Sequence, residues 1–229
     1  MQAIATEPYC PVMAVTRWGP MSTSDPDHVV IVPIKPPGLG KSRLGELPNR
    51  RELAAAFAMD TLSACLSAGS VRQVLVVTDD AALASQVSAM GCWAIPDGVT
   101  GDLNESLRQA ALEATRRWPD LIPVALCADL PGLRPADLDA ALSESRGDPV
   151  FVADAEGVGT TTYSARITAF APHFGVGSAA AHVASGARPI QGALESLRRD
   201  VDTSGDLDAA VALGVGPATH TVLTLPPSH

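Results

Sequence analysis

Lysine is nearly missing from this 229-residue chain, in which Lys35 and Lys41 are the only two, and aromatic residues make up just 4%. With a formal net charge of −9 and a pI near 4.9, the chain also lacks the basic field that nonspecific nucleic-acid or anionic-membrane binding requires. Its four cysteines, Cys10, Cys65, Cys92 and Cys127, show no Cys-x-x-Cys spacing, so neither a zinc site nor a disulfide framework is indicated. They read as reduced, mostly buried thiols, as in a cytoplasmic protein. No apolar run approaches the length of a membrane span, and the first residues lack the basic start and apolar core of a signal peptide. Neither nucleic acid nor membrane is therefore expected as a partner, and an anionic ligand needs local cations or a metal.

What is present suits one well-covered domain: 46% of residues are hydrophobic and 18% charged. Residues 1–27 carry prolines, isolated apolar residues and a Ser-Thr-Ser-Asp-Pro-Asp run without sustained periodicity. They are expected to form a flexible N-terminal extension, leaving residues 28–229 as a single domain.

The domain is organised around residues 29–43. Val29 to Ile34 form a β-branched apolar run without alternation, which predicts a central strand covered on both faces, and Pro33 predicts that pairing stops near there. Gly38 and Gly40 follow, with Lys35, Lys41 and Arg43 placing three cations within nine residues of an acidic chain. Gly40-Lys41-Ser42 has the end of a Walker A pattern, but Lys35 stands where its first glycine belongs and Pro36-Pro37 occupy the turn that should wrap a phosphate. The stretch reads instead as an anion site built from side-chain cations, against the alternative of a solvated loop.

Beyond it, helical periodicity from Pro48 to Gly69, an apolar strand at 71–78, a helix opened by Asp79-Asp80 and a short strand at 92–95 alternate in order. A helix over 102–118, a strand at 122–127 and a helix from Pro135 to about Arg146 continue the rhythm. Such alternation predicts an α/β fold with a largely parallel sheet, whose ligands gather beyond the carboxyl ends of the strands. The second half breaks the pattern. After a strand at 150–153 comes a polar turn into Tyr163-Ser164-Ala165, expected to pair antiparallel. The glycine-rich turn 174–178 leads into a small-residue helix, reading either as an anion-holding turn with open N–H groups or as an ordinary helix cap. Asp129, Asp200 and Asp202 fall at predicted strand ends; two of them suffice for Mg²⁺, which completes its shell with water and phosphate oxygens. Helix capping is the alternative for Asp129 and for Asp202.

Taken in order, Val-Pro-Ile-Lys with Gly-Lys-Ser-Arg, Asp102-Leu103-Asn104, Ala128-Asp129-Leu130-Pro131, Gly159-Thr160, Phe174-Gly175-x-Gly-Ser178 and Asp200-Val201-Asp202-Thr203 resemble the guanylyltransferases of coenzyme F420 biosynthesis. That resemblance implies a three-layer, Rossmann-like nucleotidyltransferase fold of the glycosyltransferase-A type, with a mixed, mostly parallel sheet. It implies guanylyl transfer from GTP to phosphoenolpyruvate, with 2-phospholactate as the alternative acceptor, in cytoplasm and ahead of a downstream enzyme of F420 assembly. By the same resemblance Lys35, Lys41 and Arg43 are catalytic and hold the nucleotide together with Pro33, Thr78 and Asn104. Thr160, Gly175 and Ser178 hold phosphoenolpyruvate, and Asp129 and Asp200 hold Mg²⁺. A molybdenum-cofactor-type guanylyltransferase and a non-catalytic nucleotide-binding module are the competing readings.

Overall fold

β1 (His28–Pro33) is the central strand that its composition predicts: it pairs in parallel with β2 (Val71–Val77) on one side and β4 (Ile122–Leu126) on the other. Its side chains alternate between two cores. Val30 and Val32 pack with Leu62, Leu138 and Leu142 on one face, while Val29 and Ile31 pack with Leu107, Ala111 and Tyr163 on the other. All four β1 valines and isoleucines are fully buried, each contributing roughly 1.5 to 3 kcal/mol. A helix layer on each face follows, since a strand apolar on both sides has to be covered on both.

The computed structural model describes residues 28–34, 49–99 and 101–225. The expected extension 1–27 and the cationic residues Lys35, Lys41 and Arg43 lie outside them. Seven strands form one sheet in the order β3-β2-β1-β4-β6-β5-β7, with β3 (Trp93–Ile95), β5 (Val150–Ala153), β6 (Thr160–Ser164) and β7 (Arg188–Pro189). Only β6 runs antiparallel, to both β4 and β5. The sheet is thus mixed and mostly parallel, and the first residue of β6, Thr160, lies at the edge where its neighbours end.

Helices α1 (Arg50–Ser67), α2 (Ala81–Ala89), α3 (Leu103–Arg117) and α4 (Pro135–Ser143) fall where periodicity puts them. Asp80 caps α2 by accepting from the amides of Ala82 and Leu83, and Asp102 caps α3 through Glu105. The second half adds α5 (Ser178–Ala184), α6 (Glu195–Arg198), α7 (Ser204–Leu213) and α8 (Pro217–Thr224). β7, α6 and α8 are not anticipated from the sequence. The α8 amides of Ala218 and Thr219 donate to the buried Asp60 carboxylate of α1 at 3.0 and 2.8 Å. Cys65 and Cys92 are buried free thiols, and burial pushes Cys92 up to about 11 and Cys65 further, so both are inert.

Candidate active site

The carboxyl edge of the sheet collects the acidic residues. Asp129 sits just past β4, on a loop braced from beneath by the buried Thr61 of α1. The Thr61 hydroxyl donates towards the carbonyls of Phe57 and Ala128, at 2.8 and 3.2 Å, and accepts from the Leu130 amide at 3.1 Å. Asp200 arrives from the other half of the chain. The short α6 that precedes it is pinned by Thr161, whose hydroxyl donates to the Leu197 carbonyl at 2.6 Å, and by Ser196, whose hydroxyl donates to Asp137 at 2.6 Å. The Val201 amide then donates to the Asp129 carbonyl at 3.0 Å, which closes the loop after β4 on the segment between α6 and α7; the expected strand end at Asp200 and Asp202 is thus a helix-to-helix connection.

The result is a crowded set of carboxylates. Burial first, and then the charges of Asp129, Asp202 and Asp154, push the Asp200 carboxyl up to about 7. Asp154, after β5, accepts from the amides of Val158 and Gly159 at 2.9 and 2.7 Å, holding the turn that delivers Thr160. A Cβ at Gly159 would collide with the Asp154 carboxylate, so only glycine permits that approach.

Hard oxygen donors under mutual repulsion at a sheet edge are chemically suited to Mg²⁺. Among the described residues no set of three or more His, Cys, Asp or Glu side chains forms a ready metal cage. What Asp129 and Asp200 could offer a metal is a pair of carboxylates, with water and phosphate oxygens completing the shell. Neither capping alternative matches the structure: α4 is capped at Arg134, well past Asp129, and α7 is capped by Thr203, which forms a reciprocal capping box with Asp206. The expected cap at Asp202 thus falls one residue later, because Thr203 supplies a hydroxyl at the correct spacing from Asp206.

A second group of residues surrounds Thr160. Its hydroxyl lies 3.1 Å from Nδ1 of His182, and Ser178, at the start of α5, is buried alongside. Gly175 has φ +133 and Gly177 φ +69, conformations that favour glycine in this turn. The expectation of open N–H groups here needs correction at Ser178, whose amide donates to the Gly175 carbonyl at 3.1 Å, as the Ala179 amide does to the Val158 carbonyl; the Gly175 amide has no acceptor among the described residues. What Ser178 offers is its hydroxyl.

Among the expected nucleotide contacts, Pro33 and Thr78 stand at the ends of β1 and β2, where the Ile34 amide donates to the Val77 carbonyl at 2.9 Å. Asn104 is engaged elsewhere. Its amide donates to the Phe174 carbonyl at 2.9 Å and its side-chain oxygen accepts from the Phe174 amide at 2.7 Å, tying α3 to the 174–178 turn. Sequence reasoning overlooked Arg198, whose guanidinium donates to the carbonyls of Ala153 and Ile190 at 3.0 and 2.8 Å and ties the ends of β5 and β7 together. It also overlooked Thr61; neither residue sits in a local motif.

This architecture is that of a nucleotidyltransferase. A solved 4-diphosphocytidyl-2C-methyl-D-erythritol synthase matches 82% of this chain and 98% of its own at a TM-score of 0.57 and 13% identity. A Methanothermobacter nucleotidyl transferase matches 81% and 97% at a TM-score of 0.54 and 18% identity. Residues 28–221 match the family described as guanylyl transferase CofC like, and the chain belongs to that family. Among its relatives, the phosphoenolpyruvate guanylyltransferase of Thermomonospora curvata is 48% identical over 83% of this chain and 86% of its own. That of Salinispora arenicola is 46% identical over 83% and 90%.

Proposed function

We propose that this chain joins the guanylyl group of GTP to phosphoenolpyruvate, giving enolpyruvyl-diphospho-5'-guanosine and pyrophosphate, as a step in coenzyme F420 assembly. The observation that carries this reading is that relatives named phosphoenolpyruvate guanylyltransferase align with more than four fifths of the chain at 48% and 46% identity. The fold is consistent with it, since Asp129 after β4, Thr160 at the start of β6 and Asp200 on the segment after α6 come together from separate parts of the chain.

In the reaction, a phosphate oxygen of phosphoenolpyruvate forms a bond to the α-phosphorus of GTP. The bond from that phosphorus to the bridging oxygen breaks, and its electron pair leaves with pyrophosphate. No protein nucleophile is needed; positioning and electrostatics suffice. Asp129 and Asp200 would hold Mg²⁺, which when bound supplies positive charge to the phosphate oxygens. Lys35, Lys41 and Arg43, assigned on sequence alone, neutralise the triphosphate and the leaving group, with Pro33 and Thr78 lining the nucleotide. The hydroxyls of Thr160 and Ser178, beside the bend at Gly175, hold the acceptor. Asn104 acts at one remove, by fixing the turn that carries them.

The test is pyrophosphate release from GTP with phosphoenolpyruvate or 2-phospholactate, with and without Mg²⁺, coupled to a downstream enzyme so that a labile product is not lost. Release that needs phosphoenolpyruvate and Mg²⁺ supports the reading. GTP turnover indifferent to either phospho-acid contradicts it.

A further inference from the structure

His182 is fully buried although it is a polar residue on a seven-residue helix, α5. Its ring stacks on two neighbouring aromatic rings of the sheet, Phe151 at 5.3 Å and 24° and Tyr163 at 4.8 Å and 21°. The rings of His173 and Phe174 meet it edge-on, both at 5.7 Å. Both ring nitrogens nevertheless have partners. Nε2 lies 2.9 Å from the His173 backbone amide, and Nδ1 lies 3.1 Å from Oγ1 of Thr160.

These contacts settle where the protons are. A backbone N–H can only donate, so Nε2 is an acceptor and carries no hydrogen. Burial first, and the neighbouring His173 next, lower His182 to about 4 against a smaller opposing effect of the Ser178 carbonyl, so the ring is neutral near pH 7. A neutral imidazole bare at Nε2 carries its hydrogen at Nδ1. Two acceptors face that hydrogen, the Ser178 carbonyl and Thr160 Oγ1, and the 3.1 Å contact to Thr160 Oγ1 is the one with hydrogen-bond geometry, so Thr160 accepts it. The hydroxyl hydrogen of Thr160 is then directed away from His182, and among the described residues no other group receives it.

We propose that His182 is a positioning residue that locks the Thr160 hydroxyl as a hydrogen-bond donor to the anionic acceptor. The inference rests on the reading that Thr160 contacts the phospho-acid. It assigns to His182 a task that a buried aromatic or aliphatic side chain of similar size does not perform. Without the Nδ1 hydrogen, the Thr160 hydroxyl would be free to turn its own hydrogen inward and present only lone pairs to an anion, an unfavourable pairing.

The experiment separates this role from packing. His182→Gln keeps an acceptor for the His173 amide but lacks the Nδ1 donor, whereas His182→Asn places an amide N–H near the Nδ1 position. His182→Gln is expected to raise KM for phosphoenolpyruvate about tenfold while leaving KM for GTP within about twofold, and His182→Asn to recover much of the loss. Thr160→Val should raise the same KM, and the double variant should add little to either single one. Nitrogen-15 imidazole spectra of the wild-type protein should show His182 protonated at Nδ1 and bare at Nε2 at pH 7. An Nε2-protonated ring overturns the proposal even if every variant misfolds. So do equal rises in both KM values or additive effects in the double variant. If the wild-type protein makes no product with either phospho-acid, the functional reading falls and the inference with it; product formation without coupling removes the inference alone.

Discussion

The backbone amide of Val201 donates to the carbonyl of Asp129 across 3.0 Å, and that bond sets Asp200 beside Asp129 although they come from opposite halves of the chain. The arrangement is costly, since burial and three neighbouring carboxylates push the Asp200 carboxyl up to about 7. Asp129→Asn and Asp200→Asn should each lower Mg²⁺-dependent turnover on the order of a thousandfold. Asp200→Asn should at the same time raise the Tm measured in chelator, because it removes a buried like charge. Folded variants with near-normal turnover would contradict the assignment of the pair.

Thr61 holds the Asp129 loop from below, and Thr61→Val leaves the Leu130 amide without its acceptor. The expected loss is about 1 to 3 kcal/mol in denaturant unfolding. Turnover should fall as well, with KM for GTP little changed, because the carboxylate is displaced rather than removed. Stability loss without any change in kcat would mean that the loop keeps its place unaided.

Asp60 is the opposite case. Its carboxylate receives the Ala218 and Thr219 amides at the start of α8, away from the carboxylate pair. Asp60→Ala should cost about 1 to 2 kcal/mol through loss of a charged helix cap. Steady-state constants at moderate temperature should be unchanged, which chemical denaturation and initial rates check together.

Acid should weaken the fold through His182, which is packed against two further titratable groups, Tyr163 and His173. The ring titrates near 6.5 when unfolded and near 4 when folded. Between those values the unfolded chain binds a proton that the native state does not. Stability attributable to this residue is therefore complete above about pH 6.5 and is lost as pH falls towards 4, by roughly 3 kcal/mol in all. The Tm of His182→Asn should vary less than that of the wild-type protein across this window.

The first half of the fold is legible because its elements are long and periodic. β1 is a continuous apolar run, α1 repeats its buried residues through Leu53, Phe57, Leu62 and Cys65, and Asp80 and Asp102 signal their own helices. The second half is not, since β7 has two residues and α6 four, too few to show any period. α8 depends on Asp60, which is 158 residues from Ala218 and invisible to a local reading. The site divides in the same way. Asp129 and Thr160 stand out by their position at strand ends, and Asp200 reads as a strand end where the chain runs from one helix to the next; the task of His182 follows only from a stack and two hydrogen bonds that four separate segments assemble. Ser178 shows the converse, a local pattern that promised an open amide where the turn had already used it.

The most direct test of the central reading is the mass of the product formed when phosphoenolpyruvate and 2-phospholactate compete for the protein in the presence of GTP and Mg²⁺. The two acids differ at one carbon, planar in the first and tetrahedral with a methyl group in the second, a difference of shape worth roughly 1 to 3 kcal/mol. The account predicts that enolpyruvyl-diphospho-5'-guanosine is the main product, by about five- to a hundredfold at equal concentrations. A product dominated by the lactyl compound, or no guanylylated phospho-acid of either kind, would contradict it.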